Sequence, residues 1–378
     1  MIHVIQPSVP LYRVDFFSRL FKEYNAKFRV YASRGNLSGL SGFEKDEPWF
    51  VPLGQYRRIL PGFWWQKGIP GIPLRRGDLV ILCGAPRNLA IPYLMVRCKL
   101  SGIPVVWWGH FWSATSSRFG LWIRLFLMQF SSGVILYTRE ELRKLKKIKS
   151  KPKMLDDKPV TFLSNGICIE PIRALRNPYN ATSRGYNLFF IGRLDDVQRI
   201  AVVLEAIALQ RELSVHLHVV GNGLGLETLK EKVRDLGIRD RIWWYGSITE
   251  EEKISEVANR CGGFVYGDSV GLSIIQAMAY GLPSIVHSDR RRHGPEIAAF
   301  RNGVTGLSYT RGCSLSLKDT IKEFFSSPER LNQMSQSCIE ATREQFNTEI
   351  MEKQFVNFIE EHFCGNFHRN EYFEKEMV

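Results

Sequence analysis

Paired cysteines are missing from this chain. Its seven cysteines stand at positions 83, 98, 168, 261, 313, 338 and 364. None forms a Cys-x-x-Cys pair or a Cys/His spacing suited to zinc. A disulfide scaffold and a structural zinc module are thereby excluded, and reduced thiols in a cytosolic setting are expected. A membrane-spanning run is missing too, because Arg124, Gln129, Ser131 and Ser132 interrupt the longest apolar stretch. The first residues, MIHVIQPSVP, lack the basic start and long apolar core of a secretory signal. No Asp-x-Asp metal pair and no internal repeat occurs. Without a recognised nucleic-acid motif, nucleic acid ranks last among partners.

What is present is a globular composition. The 378 residues are 44% hydrophobic and 24% charged, enough for two domains of ordinary size. The net charge of +13 is unevenly spread. Residues 1–180 hold 28 Lys/Arg against 11 Asp/Glu, or +17, and the remainder holds 23 against 27, or −4. A basic first half favours an anionic partner: a membrane surface, nucleic acid or a phosphorylated substrate.

Both halves alternate short apolar runs with helical patterns. Strands are expected at residues 4–5, 28–31, 79–82, 103–107 and 133–137. Helices are expected at 14–21, 89–100, 121–130 and 140–149. Residues 170–186, rich in Pro, Asn, Ser and Arg, read as a linker. A second alternation follows, with strands at 187–191, 216–220, 242–245 and 264–266, and helices at 197–209, 226–236 and 250–259. The segment 328–362 reads as helical. The rhythm predicts mostly parallel sheets covered by helices, with ligands at the C-terminal strand ends.

The stretch VYGDSVGLSIIQAMAYGLPSI at 265–285 is the most informative. It reads as a strand end, a glycine turn and a helix beginning near Leu272 or Ser273. Gly271 permits a sharp turn or close approach of a ligand to the backbone. The helix start offers unpaired N–H groups, and Gly281 with Pro283 ends the helix. Asp268 precedes the helix and Gln276 lies one to two turns into it. Both are placed to meet one ligand carrying phosphate and hydroxyl groups.

Several motifs in order resemble the donor-binding domain of family 4 glycosyltransferases. They are FFIGRLDDVQRIAVVLEA at 189–206, HLHVVGNG at 216–223, DRIWWYGSIT at 240–249 and GDSVGLSIIQAMAYGLPSIV at 267–286, continued by Pro295-Glu296 and GVTGL at 303–307. Weaker matches are VPLYRVDFFSRL at 9–20, VVWWGH at 105–110 and SNGI at 164–167. The resemblance implies the α/β GT-B fold, two facing Rossmann-like domains with a cleft between them. Residues 1–175 would bind the acceptor and 176–340 the nucleotide sugar, with 341–378 crossing back to the first domain.

The resemblance also implies roles. Asp268 and Gln276 occupy the family's Glu-x7-Glu positions, the first on the donor sugar and the second on the nucleotide ribose. Gln276 keeps an acceptor oxygen but loses the charge, so restoring glutamate there is expected to tighten nucleotide binding. Gly271 and Leu272 lie at the same donor turn. Arg193 is assigned to the donor diphosphate. The family's second cation falls on Gln198, and adjacent Arg199 is the candidate replacement. His110, after the strand VVWW, is assigned to the donor sugar. Glu296 either orients a polar group or caps a helix. Positioned cations and amides would stabilise the leaving group, so neither a metal nor another cofactor is expected.

Other positions depart from the pattern. Pro7-Ser8-Val9-Pro10 replaces a Gly-Gly loop, and Ile167-Cys168 follows Asn165-Gly166 where Asn-Gly-x-Asp is usual. These departures keep open a non-catalytic scaffold of the same fold. Relatives of this pattern build bacterial surface polysaccharides on lipid carriers. The aromatics of 107–130, including Phe111 and Trp112, suit a peripheral anionic membrane face. So does Trp64-Trp65, read as a Pro/Gly-rich loop beside Arg57, Arg58, Lys67, Arg75 and Arg76. The expected acceptor is a glycan or lipid-linked glycan. The expected location is cytoplasmic, at the inner face of the cell membrane.

Overall fold

The computed structural model describes residues 1–35, 42–110, 118–148 and 151–363. The chain divides into two compact units, residues 1–164 together with the segment from Thr348 onward, and Asn165–Asn347.

The first unit is built on a seven-stranded parallel sheet. Its strands are β1 (Ile2–Ser8), β2 (Phe28–Ser33), β3 (Phe50–Leu53), then β6 (Leu79–Cys83), β7 (Val105–Trp108), β8 (Gly133–Leu136) and β9 (Val160–Phe162), with β4 (Tyr56–Leu60) and β5 (Phe63–Gln66) forming a separate antiparallel hairpin. The sheet order is β3-β2-β1-β6-β7-β8-β9. LVILC of β6 and VVWW of β7 are almost wholly buried, as expected when helices cover both faces of a parallel sheet. The covering helices include α1 (Val14–Tyr24), α2 (Ala90–Leu100), α3 (Arg118–Met128) and α4 (Arg139–Lys147).

The second unit has a six-stranded parallel sheet of β10 (Asn187–Ile191), β11 (His216–Val220), β12 (Ile242–Gly246), β13 (Gly263–Val265), β14 (Ser284–His287) and β15 (Gly306–Tyr309). Its order, β12-β11-β10-β13-β14-β15, reverses direction between β10 and β13. That is the Rossmann switch point, where loops leaving adjacent strands open a crevice. Helices α5 (Glu170–Leu175), α6 (Ala181–Arg184), α7 (Gln198–Leu209), α8 (Leu226–Asp235), α9 (Glu251–Ala258), α10 (Ser273–Ala279), α11 (Ser314–Phe324) and α12 (Pro328–Glu344) complete it.

Three sequence expectations change. Residues 170–186 are not a free linker. They hold α5 and α6 and are bonded to the second unit: Arg176 Nη1 donates to Ala279 O at 2.7 Å, Tyr179 Oη to Gly262 O at 2.5 Å, and Arg184 Nη1 to Cys261 O at 3.1 Å. Tyr and Arg side chains reaching back to carbonyls leave no compositional signal. The helical segment 328–362 is two helices. Asn347 Nδ2 donates to Thr342 O and Arg343 O at 2.8 and 2.7 Å, closing α12, and α13 (Thr348–Phe363) begins next to it. There Thr348 bonds Asp15, and Phe355 packs edge-on against Phe16 of α1 at 5.8 Å. Lastly, Trp64-Trp65 lies on the β4–β5 hairpin, not in a loop.

Candidate active site

In the second unit, β10 and β13 run side by side and parallel, so residues 192–197 and 266–272 leave the sheet at the switch point. Close backbone approach explains the glycines. A Cβ on Gly192 would lie 2.9 Å from Tyr266 Oη, and one on Gly267 would lie 2.6 Å from Arg199 O. The Gly267 N–H donates to that same oxygen at 2.8 Å, stapling the start of α7 to the second loop.

Arg193 follows Gly192 and is half exposed, its Nη1 3.7 Å from Asp195 Oδ2. Arg199 turns toward Tyr266. Burial raises the pKa of the Tyr266 hydroxyl, and the charge of the nearby Arg199 guanidinium opposes that rise. Of the two candidate cations, Arg193 is thus the more open to solvent. Gln198, at the position of the family's second cation, lines a depression of about 790 Å³ together with Asp196, Lys232, Gly267, Asp268 and Arg311.

Asp268 has a partner that the sequence did not point to. Arg311, just beyond β15, donates to Asp268 Oδ1 from Nη2 at 3.1 Å and from Nε at 3.4 Å. Burial alone would raise the Asp268 pKa. The Ser269 N–H and the Arg311 guanidinium outweigh it and hold the carboxyl below its ordinary value. Behind it lies His287, wholly buried, with Nε2 4.0 Å from Asp268 Oδ1. Its ring stacks on His293 at 3.8 Å. His293 Nδ1 accepts the Val270 N–H at 3.1 Å, so Nε2 carries the proton that it donates to His287 O at 2.9 Å. Burial, helped by His293, lowers the His287 pKa to about 4. A neutral imidazole therefore backs an ionised carboxylate.

Gly271 does not make a left-handed turn, since it is absent from the positive-φ glycines. A Cβ there would meet only Glu296 Oε2, at 3.9 Å. Its contribution is therefore open space above the backbone at this turn, beside Leu272. Glu296 is buried, and its Oε1 accepts from Asn165 Nδ2 at 2.7 Å. The Asn-Gly turn and Pro295-Glu296 are thus one hydrogen-bonded feature. The helix α10 has only seven residues, so its dipole is small and the side chains carry more of the electrostatics.

Gln276 sits on α10 and donates from Nε2 to Glu251 Oε1 and Oε2 at 3.2 and 3.3 Å. Tyr280 Oη also donates to Glu251 Oε1, at 2.6 Å. Glu251 opens α9, and the sequence reading assigned it no role beyond lying in the helix expected at 250–259.

In the first unit, His110 lies just past β7. Its Nδ1 is 2.8 Å from Glu141 Oε1, and its ring lies 4.4 Å from that of Tyr137. Glu141 is fixed in turn, its N–H donating to the Thr138 cap at 3.0 Å and its Oε2 accepting the Tyr137 N–H at 3.2 Å. With Glu141 ionised, the proton sits on Nδ1 and Nε2 is left as an acceptor. The Thr-x-x-Glu spacing signals a helix start. It carries no hint that the carboxylate also holds a histidine.

The aromatic segment splits by depth. Trp107 and Trp108 are core residues, whereas Trp122 and Phe126 on α3 and Phe130 just after it are exposed. Phe111 and Trp112 lie outside the described residues. On the hairpin, Trp65 packs against Tyr93 at 5.7 Å. Ile59, Leu60, Phe63 and Trp64 are exposed, next to exposed Arg57 and Arg58. Among the described residues no helix is long and apolar enough to cross a membrane, and no three His, Cys, Asp or Glu converge as a metal-ligand set.

The family model "Glycosyl transferases group 1" matches residues 172–345. N-acetyl-alpha-D-glucosaminyl L-malate synthase of Bacillus anthracis is 25% identical over 182 residues, 48% of this chain and 47% of that protein. The chain thus spans about half the length of this curated relative. Among solved structures, HepE of Anabaena in complex with UDP and glucose aligns over 95% of this chain and 99% of its own, with a TM-score of 0.65 at 14% identity. Sucrose-phosphate synthase from Thermosynechococcus elongatus aligns over 95% and 98%, with a TM-score of 0.68 at 16% identity. These two likenesses carry the fold. The second unit thus matches the glycosyl transferases group 1 family model, and the chain has the GT-B fold of these solved structures.

Proposed function

We propose that this protein transfers a sugar, with retention at the anomeric carbon, from a nucleoside diphosphate sugar to a glycan or lipid-linked glycan in surface polysaccharide synthesis. The observation that carries the reading is the arrangement at the β10/β13 switch point. Arg193 stands on one loop, and Asp268, held by Arg311, stands beside the other. In this reading Arg193 takes up charge developing on the diphosphate leaving group, with Arg199 as a second cation. Asp268 accepts from sugar hydroxyls, and Gln276 lies at the nucleoside. Gly271 and Leu272 leave the donor turn open. His110, its proton fixed on Nδ1 by Glu141, serves the donor sugar. Positioned cations in a water-poor site stabilise a leaving group without a metal, so turnover is expected to persist in EDTA.

A membrane-associated acceptor is supported by the first unit. The basic excess of residues 1–180 and the exposed apolar side chains of the hairpin and α3 are the composition of a peripheral membrane surface. The proposed location is the inner face of the cell membrane. The UDP bound by HepE makes uridine diphosphate sugars the first donors to try.

Thermal unfolding with uridine, guanosine and adenosine diphosphates and their sugars tests the reading, because a ligand bound only by the folded state raises its stability. Stabilisation by one nucleotide class, followed by release of that nucleoside diphosphate in the presence of acceptor, is expected. Stabilisation without transfer or hydrolysis would favour a non-catalytic scaffold. No stabilisation by any of them would overturn the donor site.

A further inference from the structure

The residue at the second position of the donor motif is an amide, yet a carboxylate is present beside it. Gln276 commits its Nε2 to both oxygens of Glu251, and Tyr280 commits its hydroxyl to one of them. Residues 251 and 276 are brought together by the packing of α9 and α10, and both side chains are half-buried. Tyr280 is fully buried, and burial followed by the bond to Glu251 raises its pKa. It therefore stays a donor at any physiological pH.

The hydrogen-bond inventory of this trio is one-sided. With one Nε2 hydrogen turned to the Glu251 carboxylate, Gln276 can offer a ligand Oε1 and its second N–H. Glu251 is acceptor-only when ionised, and a carboxylate has about four lone-pair sites, more than Gln276 and Tyr280 use. The trio thus offers mostly acceptors, and one negative charge. Phosphate, itself an acceptor and an anion, is repelled. A vicinal diol, with two O–H donors side by side, is complementary.

We infer that Glu251 supplies the carboxylate that position 276 lacks, binding with Gln276 Oε1 the ribose hydroxyls of the donor nucleoside. The inference rests on the reading of Gln276 as a nucleoside contact. It also reverses an expectation drawn from sequence. Restoring glutamate at 276 would set a second carboxylate against Glu251 and weaken binding, not tighten it.

Calorimetric titration with uridine diphosphate and 2′-deoxyuridine diphosphate, repeated with the guanosine and adenosine pairs, tests this. The wild-type protein is expected to prefer the ribonucleotide about tenfold or more, the scale of hydrogen bonds to a charged acceptor. Glu251→Gln should lose that preference, leaving a ratio below about three. Gln276→Glu should weaken the ribonucleotide about threefold. The exchange variant Glu251→Gln/Gln276→Glu keeps one carboxylate and one amide and should regain most of the preference. A carboxylate that merely ties α9 to α10 would leave the ribo-to-deoxyribo ratio unchanged in Glu251→Gln, and that result overturns the inference. If Glu251→Gln does not fold, Gln276→Ala decides. Retained preference supports Glu251 as the ribose carboxylate, and collapse to unity overturns it. Failure of the wild-type protein to bind any of these nucleotides would defeat the donor-site reading itself, and this inference with it.

Discussion

The two units share one architecture and differ in what they present. Both sheets are parallel, and in each the first three strands build outward before the next returns beside the first. The second unit is near neutral in sequence and gathers half-buried polar side chains at its switch point: Arg193, Asp268 with Arg311, and Gln276 with Glu251. The first unit holds most of the basic excess. It holds the His110–Glu141 pair beside β7 and leaves apolar side chains exposed on the hairpin and α3. The contrast teaches that one scaffold can present two kinds of surface. A small polar ligand needs fixed hydrogen-bond partners. An extended or membrane-borne partner needs surface of the right charge and polarity.

That division has its strongest test at Arg193. Arg193→Ala is expected to lower turnover by about 10²–10³-fold, the scale of losing one transition-state charge stabiliser, while binding to anionic vesicles stays as in the wild type. Unchanged steady-state turnover would remove Arg193 from the chemistry.

His110 breaks the clean division, since it belongs to the first unit yet is assigned to the donor sugar. His110→Ala should lower turnover about 30-fold, equivalent to one charge-assisted hydrogen bond of about 2 kcal/mol, with nucleoside diphosphate affinity within about twofold of wild type. A mutant defective only in nucleotide affinity would contradict that assignment.

The hairpin probes the other side of the comparison. Each Lys or Arg near an anionic surface contributes about 1 kcal/mol, so Arg57→Gln with Arg58→Gln and Trp64→Ser should weaken vesicle binding by roughly tenfold or more. The attraction should fall as salt rises, because the Debye length is about 8 Å at physiological ionic strength. Transfer to a soluble acceptor should be retained. Equal cosedimentation of wild type and variant with anionic vesicles would detach the hairpin from the membrane.

The smallest effect concerns acid stability. Burial lowers the pKa values of His287 and His218, both in the second unit, to about 4. In the unfolded chain each titrates near 6.5, so between these values the unfolded state binds more protons. Their contribution is intact above pH 6.5 and is lost progressively as pH falls toward 4. Lowering pH from 6.5 to 5.5 should cost about 1 kcal/mol per histidine, a few degrees in melting temperature. The loss should shrink in His287→Gln. An identical pH profile for that variant, followed by circular dichroism, would show that His287 does not titrate in this way.

Much of the second unit is legible in its sequence. The expected strands 187–191 and 216–220 coincide with β10 and β11, and the helix expected from 197 to 209 is α7 less one residue. Continuous apolar runs, glycines at close approaches and a Gly-Pro helix stop are local signals. They also fix the order in which Arg193, Asp268 and Gln276 must appear. The first unit reads less completely. The β4–β5 hairpin is short, rich in Arg and Trp and set among Pro and Gly, so neither its pairing nor its antiparallel sense has a periodic signature.

What local pattern decides, then, is the kind and sequence of elements, because helices and strands are selected by neighbours a few residues away. Partners are decided by packing. Glu251 meets Gln276 across 25 residues, His110 meets Glu141 across 31, and Asp268 meets Arg311 across 43. Each pair is joined only once parallel crossovers have returned distant segments to the same edge of a sheet. Composition cannot encode such meetings, since an exposed glutamate and a ribose-binding one are the same residue until the fold supplies the neighbour. In this protein the sequence determined the two Rossmann-like sheets and the loops of the switch point. Only the tertiary structure decided which charges those loops hold.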